Sequence, residues 1–135
     1  MRMIQLSRTL RVALIGVAII GSATFAFADV KNYEFRLVEP TVKAGPDRTI
    51  AVKLVDKTTG KPVPDAVIFA TRLDMAPDAM QEMATKVTAM PVIEPGVYRF
   101  KATFGMAGRW QLSLGAKVQG ETGTVENKLV IQADQ

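Results

Sequence analysis

Methionine is the one chemically distinctive side chain that this sequence concentrates in a single stretch. Five of the seven methionines lie between residues 74 and 106, namely Met75, Met80, Met83, Met90 and Met106. A thioether sulfur is a soft, uncharged donor, so it favours Cu(I) or Ag(I) and discriminates against Zn(II), Mg(II) and Ca(II). Three converging sulfurs are enough to hold a soft monovalent ion. We therefore predict a metal site, most simply for Cu(I), with these five methionines as candidate ligands.

The local sequence predicts how some of these sulfurs come together. Pro77 favours the first turn of a short helix, in which Met80 and Met83 are three residues apart and share one face. Met106 falls in a predicted turn between two adjacent strands, from which it can approach the same end of the fold. Three nearby carboxylates add negative charge that attracts a cation without having to bind it: Asp74, Asp78 and Glu82.

Two other interpretations explain the same methionines. Methionine is a flexible core filler, so Met80 and Met83 are also expected if they plug the open end of a domain. Exposed methionines also form adaptable docking surfaces for partner proteins. The spacing alone leaves soft-metal binding, core packing and protein docking open.

Catalysis has little support in this composition. The chain contains no histidine and no cysteine, so it lacks the commonest general base and the strongest side-chain nucleophile. Asp74 and Asp78 are close enough in sequence to form a carboxylate pair, but solvated acids next to a helix start fit the same spacing better. We predict that the protein is not an enzyme.

The N-terminal residues have the organisation of an export signal. Three arginines and no acidic residue precede an apolar run over residues 12–27, and Ala26-Phe27-Ala28 is a small-x-small site that a signal peptidase accepts. We predict that residues 1–28 are a signal peptide and that the protein is periplasmic or secreted. An uncleaved membrane anchor is the alternative, because the run is only slightly shorter than the roughly 17 to 25 residues of a spanning helix.

Cleavage at this site leaves residues 29–135, which is the size of one domain. The absence of cysteine means that this domain folds without a disulfide framework, although export would permit one. Three of the 17 basic residues are leader arginines, so the remaining chain carries 14 basic against 13 acidic side chains. This nearly neutral net charge argues against a basic surface of the kind that binds nucleic acids.

Apolar residues recur with period two along most of this domain, which is typical of half-buried strands. The strands that this alternation predicts cover residues 33–37, 50–55, 66–73, 86–90, 97–104, 110–116 and 129–133. The third of them is apolar on both faces as far as Arg72, which predicts a strand in the middle of a sandwich. About seven strands at this spacing predict an all-β, immunoglobulin-like antiparallel sandwich, with a helix-like stretch only in the methionine segment.

Two aromatic residues have predicted structural roles in this sandwich. Glu94-Pro95-Gly96-Val97-Tyr98 has the spacing of a tyrosine corner, in which the Tyr98 hydroxyl hydrogen-bonds upstream backbone and fixes the crossover between the sheets. Trp110 is in phase with Leu112 and Leu114, so we predict a core anchor rather than a platform for a ligand.

Three ordered motifs carry a resemblance to a known family. They are Arg72 to Met80 (RLDMAPDAM), Pro95 to Phe100 (PGVYRF) and Met106 to Leu112 (MAGRWQL). Together they resemble the YtkA-like domain, a relative of FixH-type and CopC-like envelope proteins. The resemblance implies an immunoglobulin-like sandwich outside the cytoplasm, often in heavy-metal efflux or copper handling, with an envelope efflux or assembly protein as partner.

This sequence departs from the family pattern in two ways. Ala79 stands where glycine is expected, and the histidines that strengthen metal sites in related proteins are absent. The lack of imidazole disfavours Cu(II) in particular. The sequence therefore predicts an exported domain that binds Cu(I) or Ag(I) through methionines, and its alternative is an interaction module of the cell envelope that binds no metal.

Overall fold

The computed structural model describes residues 30–135, and the predicted signal peptide with its cleavage site lies outside these residues. The regular structure of this part of the chain is nine strands and two single 3-10 turns, Val30–Asn32 and Ala76–Asp78. The strands are β1 (Tyr33–Leu37), β2 (Thr41–Lys43), β3 (Gly45–Asp56), β4 (Val67–Met75), β5 (Met80–Thr85), β6 (Val87–Ala89), β7 (Val97–Phe104), β8 (Gly108–Lys117) and β9 (Val125–Asp134). Within residues 30–135, no helix has the length and apolarity needed to cross a membrane.

The strands form two sheets that enclose one core. One sheet has the order β1-β3-β7-β6, and the other has the order β2-β9-β8-β4-β5. Neighbouring strands are antiparallel, except that β2 runs parallel to β9. The predicted immunoglobulin-like sandwich is therefore confirmed. Beyond the seven predicted strands, the sheets contain β2, which has only three residues, and β5, which lies in the methionine segment.

Alternate residues of β7 and β8 supply much of the core between the sheets. Trp110 is 2% exposed, and its ring meets Phe104 edge to face with 5.4 Å between the ring centroids. A buried indole N–H needs an acceptor, and Trp110 Nε1 donates to the Met106 carbonyl oxygen at 3.1 Å. Trp110 is thus the core anchor that its phase with Leu112 and Leu114 predicts.

The tyrosine corner is also confirmed. The hydroxyl of buried Tyr98 donates to the Val63 carbonyl oxygen at 2.8 Å and accepts from the Ala66 N–H at 3.1 Å. Val63 and Ala66 belong to the connection that carries the chain from β3 in one sheet to β4 in the other. Burial raises the pKa of the Tyr98 hydroxyl, which keeps it protonated as a donor. The hydroxyl therefore fixes the crossover between the sheets.

The helical turn predicted at Pro77 is present, but the prediction that it includes Met80 and Met83 is wrong. The 3-10 turn Ala76–Asp78 ends at Ala79, which adopts a left-handed conformation with φ of 61°, and Met80 begins β5. A left-handed residue ends a helical turn, and hydrogen bonding to β4 then extends the chain. Met80 packs against the core, whereas Met83 is 39% exposed, so the two side chains do not share a helical face.

The expectation that the strand at 66–73 is buried on both faces is also wrong. Along β4 only the last three residues, Leu73 to Met75, are buried, whereas Val67 and Phe69 are 63% and 57% exposed. The reason is that β5 pairs with β4 only at Leu73 and Met75. The chain then leaves this sheet and joins the other one as β6 beside β7. The second edge of residues 67–72 is left without a neighbouring strand.

Candidate functional site

Asp78 and Arg109 fasten the turn between β4 and β5 to the start of β8. The two carboxylate oxygens of Asp78 accept one hydrogen bond each from the Arg109 backbone N–H and Nε, both at 2.8 Å. Arg109 Nη2 also donates to the Pro77 carbonyl oxygen at 2.8 Å. These bonds, that of the backbone N–H above all, hold the pKa of the Asp78 carboxyl below its ordinary value. Asp78 is therefore ionised, its negative charge is compensated by Arg109, and its carboxylate joins the β4–β5 turn to β8.

Asp74 has a similar structural role on the other side of the turn. It is 4% exposed, and its carboxylate accepts from Arg72 Nε at 2.6 Å and from the Ala76 N–H at 3.0 Å. Arg72 Nη2 reaches onward to the Gln81 carbonyl oxygen of β5 at 2.9 Å. Asp74 and Asp78, which the sequence analysis gives as negative charges that attract a cation, are therefore each bound to an arginine. Glu82 is exposed on β5.

Gly108 allows the same turn to approach β8 closely. Its φ is +144°, and a Cβ at this position would lie 2.5 Å from Met75 Cε and 2.9 Å from Asp78 Oδ2. Both the backbone conformation and the close packing therefore require glycine. The first and third sequence motifs thus build one structural unit, in which Asp74, Asp78, Gly108 and Arg109 join the ends of β4 and β8.

The structure brings some of the five candidate methionines together and separates the others. Met75 is fully buried and lies directly opposite Met80 in the β4–β5 register. Met106 is 41% exposed in the β7–β8 turn, at the same end of the sandwich. Met83 is 39% exposed on β5, and Met90 lines a groove between the two sheets. At most Met75, Met80 and Met106 belong to one neighbourhood.

Carboxylates do not complete a metal centre there. In the described part of the chain, no three acidic side chains lie close enough together to hold a metal ion, and histidine and cysteine are absent from the sequence. The thioethers remain the candidate ligands that the sequence analysis names, and thioethers favour soft ions.

A second candidate surface is the open edge, by which we mean residues 67–72 of β4 on the side that lacks a neighbouring strand. Two grooves meet along it, and both are lined by Phe69, Ala70 and Thr71. The outer groove, of about 490 Å³, lies on the outer face of the sheet, where Gly115 leaves room and the Phe69 ring comes within 3.3 Å of its Cβ position. The inner groove, of about 280 Å³, runs between the edges of the two sheets.

The two grooves differ in chemistry. The inner groove is mostly apolar, and its walls include Ile68, Val87, Met90, Val92 and Phe100. Charged and polar side chains line the outer groove beside Phe69, namely Arg72, Ser113, Glu126, Asn127 and Lys128. The sequence analysis did not predict this surface. Apolar residues on both faces of residues 66–71 indicate it, but we interpreted them as evidence that the strand is buried.

Comparisons with known proteins give a family for the chain but little detail about its activity. The model of the YtkA-like family matches residues 27–115, and no curated protein matches the chain. Among solved structures, the Lin-41 filamin domain is 19% identical with a TM-score of 0.44, and the match covers 79% of this chain and 98% of that one. The ZirS C-terminal domain is 14% identical with a TM-score of 0.45, and the match covers 90% of this chain and 86% of that one.

Proposed function

The chain belongs to the YtkA-like family, and from this premise we propose that it is a small protein-interaction module of the cell envelope. Its partner supplies an extended segment that adds to the open edge as a further strand of the sheet. The observation that carries this proposal is the half-paired strand β4, whose residues 67–72 pair with β8 alone. The location in the cell envelope is proposed from the predicted signal peptide at residues 1–28.

The backbone of the open edge favours strand addition. An edge strand presents unpaired N–H and C=O groups, and proteins usually protect such edges with lysine, proline or a covering element. Here the large exposed apolar side chains are Val67 and Phe69. The one charged side chain of residues 67–72 is exposed Arg72, which is bound to Asp74 and to the Gln81 carbonyl oxygen. A bulge between Ile68 and Ala70 turns Phe69 outward but adds no charge. An apolar and incompletely protected edge is the kind of surface that a partner strand recognises.

The two grooves determine which segment fits. Side chains of an added strand alternate between the two faces of the sheet, so every second one enters the inner groove and the others lie over the outer groove. The apolar inner groove accepts valine-sized side chains. Exposed Lys128 of β9 lines the outer groove together with Arg72 and Glu126, and exposed Lys117 of β8 pairs with Val67. Neither lysine forms a salt bridge within residues 30–135. The partner segment therefore alternates apolar and acidic residues.

Binding of an alternating valine–glutamate peptide tests this function. A peptide of about eight residues has the usual length of a strand, and it is expected to slow hydrogen exchange of the backbone amides of residues 67–72. Phe69→Lys should weaken binding about tenfold, because roughly half of this side chain is still available to bury and that burial is worth about 1.4 kcal/mol. Isothermal calorimetry and amide exchange followed by nuclear magnetic resonance give the two readouts.

Val130→Lys is the matched control, since Val130 is 50% exposed on β9 of the same sheet but lines neither groove. Val130→Lys should leave the affinity of the alternating peptide unchanged. A peptide of the same composition, rearranged into a block of valines followed by a block of glutamates, should bind more weakly, because its side chains no longer match the two grooves. Equal binding of both peptides, or equal losses in the two variants, would contradict strand addition. Self-association of the free protein through β4 would instead make a second copy the occupant.

Binding of Cu(I) or Ag(I) is a second candidate function, and the direct opposition of Met75 and Met80 is the observation that favours it. Two adjacent thioethers, with Met106 at the same end of the sandwich, supply soft ligands. Met75 is fully buried, so a metal ion reaches its sulfur only if the β4–β5 turn opens. Only this candidate function supports a role in heavy-metal efflux or copper handling. The same is true of an efflux or assembly protein as the partner.

A Cu(I) competition titration against a weak chelator tests the second candidate. Met80→Leu keeps volume and apolarity but removes the sulfur, so affinity should fall at least tenfold while stability changes by less than about 1.5 kcal/mol. Met83→Leu is the control, because Met83 is exposed and does not pack against the core beside Met75, and it should leave affinity unchanged. Wild-type protein that fails to compete with the chelator ends this hypothesis.

A further inference from the structure

The outer face of the sheet β1-β3-β7-β6 holds two positive charges side by side. Arg36 of β1 and Lys53 of β3 are direct register partners, and like charges directly opposite each other destabilise a pair of strands. Arg36 is partly compensated by Glu34, whose carboxylate lies 2.6 Å from Arg36 Nε. Lys53 has no salt bridge to any residue in the range 30–135. A neutral side chain at position 53 would avoid this repulsion.

Arg99 of β7 adds a third positive charge and an unsatisfied donor. Its Nη2 donates to Glu94 Oε1 at 3.2 Å, but the Glu94 side chain is 64% exposed. Its Nη1 is buried and has no hydrogen-bond partner among the described residues. Most buried N–H donors in proteins are satisfied, because leaving one without an acceptor is unfavourable. An oxygen acceptor from a ligand would satisfy this nitrogen.

These three cations line one groove of about 430 Å³. Lys53 lies between the other two across the sheet, since it pairs with Arg36 on one side and with Val97, two residues before Arg99, on the other. Apolar side chains complete the walls: Leu37, Val38, Val55, Pro62 and Val97. The volume is within the range of small-molecule sites, and the mixture of apolar walls with a few convergent polar groups is typical of them.

We propose that this groove binds a small organic oxyanion, a phosphate or carboxylate attached to an apolar body. The oxyanion lies against Lys53 and the Arg99 guanidinium, and the apolar part contacts the walls beside Leu37 and Val97. The exposed Arg99–Glu94 pair is weak in water, so an incoming anion replaces Glu94 at the guanidinium. The site is on the opposite sheet from the open edge and does not depend on the proposed function.

Titration of the purified protein with hexyl phosphate, inorganic phosphate and hexanol tests this site. Hexyl phosphate should shift the resonances of Lys53 and Arg99 and bind most tightly, inorganic phosphate more weakly, and hexanol not at all. Lys53→Gln should weaken hexyl phosphate binding at least tenfold. The same change should raise the melting midpoint, because it removes the repulsion from Arg36.

Lys86→Gln is the control, since this exposed lysine between β5 and β6 does not line the groove. It should leave hexyl phosphate affinity unchanged. Equal weakening in both variants would reveal general charge attraction and overturn the proposal. A lower melting midpoint of Lys53→Gln would also overturn it, because Lys53 would then be structural, and so would the absence of any binding by the wild type.

Vesicles distinguish two sources of the anion. Binding to phosphatidylglycerol vesicles that is lost with Lys53→Gln, together with no binding to phosphatidylcholine vesicles, supports the site and identifies a lipid headgroup as the ligand. Binding of hexyl phosphate without binding to either vesicle supports the site and identifies a soluble anion. Vesicle binding that is insensitive to Lys53→Gln, with no hexyl phosphate binding, overturns the site.

Discussion

Met75→Ala is expected to lower the free energy of unfolding by about 2–5 kcal/mol, the range for truncating a large apolar side chain in a core. Met75 is fully buried at the end of β4, and its methyl group packs against Gly108. Removing the side chain leaves a cavity between the β4–β5 turn and β8, which Asp78 and Arg109 prevent from collapsing. Urea denaturation followed by circular dichroism measures the change.

Met83→Ala is the matched control for this prediction. Met83 is 39% exposed, so its truncation should change the free energy of unfolding by less than about 1 kcal/mol. Similar losses in the two variants would mean that β5 does not pair with β4 as described. A large loss for Met75→Ala beside a small loss for Met83→Ala would show that Met75 stabilises the core and that Met83 does not.

Gly108→Ala is expected to destabilise the protein by a comparable amount, on the order of 2–5 kcal/mol. The positive φ of +144° is unfavourable for alanine, and strained backbone of this kind costs about 1–3 kcal/mol. The new methyl group would also press on Met75 Cε and Asp78 Oδ2, at 2.5 Å and 2.9 Å. Overpacking typically adds about 1–3 kcal/mol.

Gly105→Ala provides the comparison for Gly108→Ala. Gly105 lies three residues earlier in the same β7–β8 connection, and a Cβ there would meet no atom within 4 Å. Its replacement should therefore change the free energy of unfolding by about 0.5 kcal/mol or less, as measured by the same urea titration. A Gly108→Ala variant as stable as Gly105→Ala would show that the β4–β5 turn does not pack closely on β8.

The family motifs acquire a physical meaning from this arrangement. β4 ends where β8 begins, so the first and third motifs meet in a joint between two strands that contains Asp74, Asp78, Gly108 and Arg109. The sequence analysis places candidate metal ligands in the same two motifs. The geometry instead leaves the more accessible surfaces elsewhere, on the open edge of β4 and on the outer face of the opposite sheet.

Local sequence determined most of the strands. The alternation around Tyr98, Phe100 and Trp110 predicts β7 and β8, since period two places one row of side chains on one face whatever the strand pairs with. The spacing around Tyr98 likewise predicts its hydrogen bond to the crossover, because the corner is defined by a short segment. Short segments of sequence are therefore enough to predict the fold class and the structural roles of Tyr98 and Trp110.

Tertiary structure alone decided which strand pairs with which. An apolar stretch at 66–71 is compatible with burial on both faces or with an edge, and the outcome depends on β5, which leaves β4 after Leu73 because its chain continues into the other sheet as β6. Tertiary pairing also decided the conformation at Met80: its spacing from Met83 fits a helix, but pairing with Met75 extends the chain. Likewise, Arg36 and Lys53 are 17 positions apart in the sequence and become neighbours only in the sheet. Such contacts depend on register between distant segments, which no local periodicity encodes.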